Sequence, residues 1–197
     1  MGICFSGAVG VYDALDQCAD MLPKLPGKKY LSIAGGDSDG RWTLGNITNL
    51  DMAVRANKLA GYNGICYDIE NGEAGLSAAF AASFANAKAH GLSVLLTISS
   101  SQPYAFTDAP TLMKSFFSNP NIDYMSPQVY NDALNGNDFM NEGTSWSAWS
   151  KAKAKIVVSV VEGSRDYAGA YEYFTKQNIN LAGYIQWNQG TKVMGGK

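Results

Sequence analysis

Histidine is nearly missing from this sequence, with His90 the only one in 197 residues. With no Cys-x-x-Cys pair either, a zinc centre or a histidine-based catalytic site has almost no material, and no metal or cofactor is expected. Cysteine is sparse too. Cys4, Cys18 and Cys66 form an odd set that implies no disulfide framework, with Cys4 and Cys18 the only pair left open. No apolar run reaches the length of about 18 residues needed to span a membrane, and no charged start leads into a long apolar stretch as in a signal peptide. The chain is therefore expected to be cytoplasmic or a mature secreted form. The opening Met-Gly-Ile-Cys-Phe-Ser does fit an acylation pattern at Gly2 with Cys4 as a second acceptor, although an initial strand accounts for the same residues. Basic runs end at Lys28-Lys29, and 15 basic against 17 acidic residues leave a net charge of -2, which argues against nucleic-acid binding. The alternating Lys151, Lys153 and Lys155 read as the basic last turn of a helix, and His90 before Gly91 as a helix end.

What the chain does have is an ordinary globular composition, 46% apolar and 16% charged, with 21 glycines for tight turns. Its length suits one domain over residues 1–197. Short apolar runs alternate with helical stretches. Strands are expected at Ile3–Ala8, Tyr30–Gly35, Gly64–Ile69, Ser93–Ser99, Tyr124–Tyr130, Lys155–Val161 and Ala182–Trp187, apolar enough to be buried on both faces of a parallel sheet. Helices are expected near Val11–Leu22, Leu50–Ala60, Gly75–His90, Ala109–Asn119, Ser145–Ala154 and Tyr167–Gln177. The third has the clearest period, with Leu76, Ala79, Phe80, Ser83, Phe84 and Ala87 on one face and Gly91 as its stop. Such alternation leaves a doubly wound sheet or a compact TIM-type (β/α)8 barrel, and the length lies near the barrel's lower limit of roughly 200 residues. Seven strands are evident, so an eighth is short, hidden in the first fifty residues, or missing.

The most informative segment is Asn63-Gly-Ile-Cys-Tyr-Asp-Ile-Glu70, an apolar strand that ends in two carboxylates. Residues two apart in a strand share a face, so Asp68 and Glu70 converge while Tyr67 and Ile69 face away. Two close carboxyls cannot easily both ionise, and one then holds a proton near neutrality, as a general acid must. The plainer alternative is a strand end whose acids favour the next helix N-terminus. Other polar strand ends are Gly35-Gly36-Asp37, Ser99-Ser100-Ser101, Gln128-x-Tyr130-Asn131 and Gln186-Trp187-Asn188. A barrel gathers them all at one mouth; a doubly wound sheet spreads them along an edge. Residues 131–144, rich in Asn, Asp and Gly, form the longest expected loop and suit a site rim. Gly35-Gly36 lacks the rest of a phosphate-loop motif, so nucleotide binding is not expected.

In this order the strand ends resemble glycoside hydrolase family 18, the chitinase-like barrels, in their compact plant-type form. Ser32-Ile-Ala-Gly-Gly36 resembles the Ser-x-Gly-Gly strand, and residues 63–70 resemble Asp-Gly-x-Asp-x-Asp-x-Glu. Gln128-Val-Tyr130-Asn131 resembles Gln-x-Tyr-Asn, and Ile185-Gln186-Trp187 resembles the final strand with its Trp floor. The resemblance implies Glu70 as the general acid, Asp68 as the residue orienting the substrate's own acetamido nucleophile, and Tyr130 as a hydrogen-bond donor to that acetamido group. Trp187 would lie under a distorted sugar, and Gly35, Gly36, Gln128, Asn131 and Gln186 would line the substrate site. The family's first Asp is here Asn63 and its second is Cys66, a thiol that packs well but cannot supply a carboxylate's charge. Three functions follow: a retaining hydrolase of β-1,4-linked N-acetylglucosamine glycans, a non-catalytic carbohydrate-binding barrel, and a storage or structural barrel. Each implies an N-acetylglucosamine-containing glycan partner or none, and oligomeric state is not legible.

Overall fold

The computed structural model of the protein describes residues 1–36, 38–131 and 136–187. Its strands are β1 (Gly2–Cys4), β2 (Lys29–Ile33), β3 (Gly64–Ile69), β4 (Ser93–Ile98), β5 (Tyr124–Pro127), β6 (Lys155–Val160) and β7 (Leu181–Gln186). They form one parallel sheet in which neighbours in space follow chain order from β1 to β7. Parallel neighbours need crossovers. These are α1 (Val11–Cys18), α2 (Leu44–Arg55), α3 (Ser77–Ala89), α4 (Ala109–Ser118) and α5 (Gly163–Lys176), with a 3-10 helix at Trp146–Lys151 between β5 and β6. No described helix is long and apolar enough to cross a membrane.

The sheet curls into a half-barrel compatible with a TIM-type barrel that lacks one strand, and it does not close. Among the described residues there is no eighth strand, and β1 and β7 do not pair. The curl is visible in one cluster of inward side chains drawn from every strand: Ile3, Tyr30, Cys66, Leu95, Tyr124, Val157 and Ile185. Gly64 makes room for it, since a Cβ there would lie 2.3 Å from the Tyr30 ring. One step toward the strand C-termini the inward positions turn polar. Ser32, Asp68, Thr97, Ser126 and Ser159 are all buried there, and the two serines Ser126 and Ser159 bond to each other at 2.7 Å. The barrel interior is thus an apolar plug beneath a polar floor.

Outside the sheet, Trp42 stacks on Tyr67, and Tyr67 meets Phe84 edge to face beneath α3. The tyrosine hydroxyl is paired with Ser83 at 3.0 Å, and Ser83 donates to Asp51 at 2.7 Å, so the buried polar end has a partner. This packing pins the alternation of β3: Tyr67 and Ile69 belong to the outer core, and Cys66 to the inner one.

Several expected elements differ in the structure. Helix α2 starts six residues earlier than Leu50, at Leu44, because the Thr43 hydroxyl accepts the Asn46 N–H at 3.2 Å and caps it. The expected helix Ser145–Ala154 is the 3-10 helix, whose three-residue turn places Trp146 and Trp149 on one side, both buried. Lys151 ends that helix but Lys155 opens β6, so the three alternating lysines are not one helical turn. His90 does close α3, with its ring nitrogen 2.8 Å from the Asn86 carbonyl.

The cysteine expectation is corrected as well. Cys4 and Cys18 form a disulfide with Cα atoms 6.0 Å apart, and Cys66 alone is free and buried. Cys count is blind to this: the β1–α1 unit folds back on itself and brings the two residues together. The bond also removes Cys4 as an acyl acceptor, and Gly2 lies buried within β1 with its N–H on the Lys28 carbonyl.

The disulfide closes a separation of 14 residues, for which chain-entropy reasoning gives roughly 3 kcal/mol. Thiol counting in denaturant without reductant is expected to find one thiol per chain, and Cys18→Ser to lower Tm by roughly 6–12 °C. Three thiols per chain would overturn the pairing.

Candidate functional site

The site is built on the last turn of β3. Asp68 and Glu70 point inward at the strand's C-terminal end, and Trp42 fixes that end by donating its indole N–H to the Asp68 carbonyl at 2.9 Å. Asp68 is only 6% exposed, whereas Glu70 is partly open. Thr97 of β4 donates to Asp68 Oδ1 at 2.7 Å. The Gln128 amide then bridges the two acids, donating to Asp68 Oδ1 and to Glu70 Oε1, each at 3.1 Å. Burial, followed by the negative charge of Glu70 and a hydrogen bond between the two carboxyls, holds the Asp68 pKa well above its ordinary value. The proton involved belongs to the pair rather than to one oxygen.

A cavity of about 480 Å³ opens above the pair, walled by Phe5, Gly36, Tyr104, Tyr130 and Trp187. It shares Ser99, Tyr104, Gln128, Tyr130 and Asn131 with a smaller cavity of about 160 Å³ edged by Asp138, Met140 and Glu142. Together they make one groove across the mouth. Tyr130 and Trp187 stack with ring centres 5.4 Å apart and planes 20° from parallel, giving the groove a flat aromatic wall. Burial, then the nearby charges of Asp68 and Glu70, raise the Tyr130 pKa, so its phenol stays neutral and able to donate.

Two backbone features clear this space. Ala34, at the end of β2, has φ 76°, a left-handed conformation uncommon for a residue with a Cβ. It turns the chain into Gly35 and Gly36. At Gly36 a Cβ would lie 2.7 Å from Glu70 Oε2, so only glycine leaves the carboxylate its place.

Of the residues singled out from the sequence, Asp68, Glu70, Gly36, Gln128, Tyr130, Asn131 and Trp187 come together in this groove. Gly35 lies just behind it, where a Cβ would sit 3.4 Å from Gly7. Gln186 does not join them: its side-chain carbonyl accepts the Gly163 N–H at 3.0 Å and ties β7 to the start of α5. Asp37 and Asn188 lie outside the described residues, as do residues 132–135 of the expected rim loop.

Asn63 lies at the opposite end of β3, where its side chain accepts the Lys29 N–H at 2.9 Å. Five strand steps, roughly 16 Å, separate it from Asp68. Of the two positions where the sequence differs from the pattern it resembles, therefore, only Cys66 is near the site. Its thiol is fully buried, and burial with the nearby Asp68 charge keeps it protonated.

Sequence reasoning missed Thr97, Tyr104 and Phe5. Thr97 carried a signal, as a polar residue two beyond Leu95 on the inward face of the run Ser93–Ile98. Tyr104 reaches across the mouth to donate its hydroxyl to the Gly36 carbonyl, a pairing between loops 68 residues apart that no local pattern encodes.

No family model matches the sequence, and no curated protein matches it. Among solved structures, a chitinase from Chromobacterium violaceum overlays with a TM-score of 0.41 at 15% identity, over 73% of this chain and 52% of that one. This chain thus spans about half the length of that chitinase, and an overlap this loose bears on neither family nor activity.

The raised Asp68 pKa carries a stability consequence. Folding favours the protonated form, so the contribution is complete below the unfolded value near 3.8 and is lost as pH rises through the folded value. Urea midpoints of the wild type are expected to fall across that window, whereas those of Asp68→Asn stay level. Parallel curves for the two proteins would refute a buried protonated pair.

Proposed function

We propose that the protein is a chitinase-like glycoside hydrolase that acts on β-1,4-linked N-acetylglucosamine glycans by a substrate-assisted retaining mechanism. The observation that carries this reading is the Asp68–Glu70 pair, bridged by the Gln128 amide, at the floor of an aromatic-walled groove. Retaining hydrolysis needs a protonated carboxyl at the glycosidic oxygen and negative charge near the cationic intermediate. On this reading Glu70, the more open of the pair, delivers the proton. Asp68 steers the acetamido group toward the anomeric carbon and then balances the positive charge of the oxazolinium. Tyr130, neutral, donates to the acetamido carbonyl. The Trp187 face takes the apolar side of the sugar ring and displaces water from it.

Cys66 favours a second reading on the same scaffold, a barrel that binds such glycans without cleaving them. One experiment separates the two. Glu70→Gln is expected to reduce turnover of an N-acetylated chito-oligosaccharide by at least about 10³-fold while leaving its binding within about threefold, since size and hydrogen bonding persist. A deacetylated substrate, which lacks the internal nucleophile, is expected to be inert. Cys66→Asp is expected to raise turnover or shift its acid limb. Binding by the wild type with no turnover between about pH 3 and 8, and none gained by Cys66→Asp, would leave only the binding reading.

A further inference from the structure

The side chains around Cys66 raise a question of hydrogen-bond supply. Thr97 Oγ1 lies 3.5 Å from the Cys66 thiol and 2.7 Å from Asp68 Oδ1, with both neighbours buried. A threonine hydroxyl has one proton to give. Asp68 receives it, so Thr97 meets Cys66 only as an acceptor from the thiol, which is protonated. On the other side of Cys66 stands Ser32, its register partner on β2. Ser32 Oγ is completely buried, close enough to influence the thiol but without hydrogen-bonding geometry to any group. A carboxylate at position 66 would accept from Ser32 and compete with Asp68 for the Thr97 proton. The thiol, kept protonated by burial, is a far weaker acceptor and leaves the Thr97 proton to Asp68.

We propose that Thr97 is a positioning residue: its single hydroxyl proton, given to Asp68 rather than to the neighbouring thiol, anchors Asp68 Oδ1 so that Asp68 and Glu70 share one proton. This rests on the hydrolase reading of the pair. Gln128 completes the arrangement, because its two amide protons go one to each acid. The groups that face Asp68 are Cys66 and Glu70 from its own strand, Thr97 from β4, and Gln128 and Tyr130 from beyond β5. None is a cation. The hydroxyl of Thr97 and the amide of Gln128 are therefore what favour the charged form of Asp68 against burial and the charge of Glu70.

The test combines titration with kinetics. Carboxyl-labelled aspartate is followed by NMR over pH, with the Asp68 resonance assigned by its loss in Asp68→Asn. Thr97→Val is expected to move that titration to higher pH and to lower kcat on an N-acetylated chito-oligosaccharide by about tenfold, with KM little changed. Thr97→Ser restores the hydroxyl and is expected to restore both. In the Cys66→Asp background, where the hydroxyl has a competing acceptor, Thr97→Val is expected to cost less than about threefold. If Thr97→Val does not fold, Thr97→Ala removes the same hydroxyl without adding a methyl. A folded hydroxyl-free variant whose Asp68 titration stays at the wild-type position overturns the proposal, whatever its stability. If the wild type has no turnover, the hydrolase reading fails, and the titration alone decides the role of Thr97.

Discussion

Burying the carboxyl of Asp68 is the constraint on which the rest of this structure turns. A carboxylate taken from water loses hydration worth several kcal/mol at least, and among the described residues no cation is placed beside it to offset that loss. The fold meets the cost in two ways. Neutral donors from β4 and from beyond β5 converge on one oxygen, and the other acid allows a proton to be shared. Both depend on strand register: a slip of one residue in β3 would turn Asp68 and Glu70 outward into the aromatic layer under α3. The Trp42–Tyr67–Phe84 packing makes that slip costly, so the outer core, far from the groove, is what keeps the acids inside.

The inner layers divide the same labour. Beneath the polar floor, the apolar plug excludes water from below, and above it the Tyr130–Trp187 stack narrows the approach from outside. The acids therefore sit in a medium where a charge and its partner interact more strongly than in bulk water. The groove combines that property with an open mouth, which suits a long polar ligand that touches the floor at one point and solvent elsewhere.

How much of this was legible in the sequence follows from the range of the interactions. Strand and helix order was readable because period-two and near-continuous apolar runs are local, and so was the convergence of Asp68 with Glu70, which needs only alternation along one strand. The Thr43 cap was missed because Asn46, Thr48 and Asn49 look like loop residues until the cap is seen to satisfy the first turn. The sequence marks a helix near Ser145–Ala154 but not its 3-10 form, because a spacing of three fits both kinds of helix. The Cys4–Cys18 bond, the Tyr104–Gly36 contact and the donation from Thr97 to Asp68 join segments whose proximity depends on the finished fold, and counting residues cannot supply them. Gln186 shows how position alone underdetermines a role: a polar residue at a strand end reads as part of the mouth, while its side-chain carbonyl accepts the Gly163 N–H at the start of α5.

The open seam between β1 and β7 has a mechanical meaning. In a closed ring every strand is braced on two sides, and a push on one is spread around the circumference. Here the bracing is graded. The carboxyl pair rides on β3, near the middle of the sheet and stiffened by β2 and β4, while Trp187 hangs from β7, which among the described residues pairs with β6 alone. The two walls of the groove are therefore braced unequally, one by strands on both sides and the other by β6 and by the Trp187 stack on Tyr130.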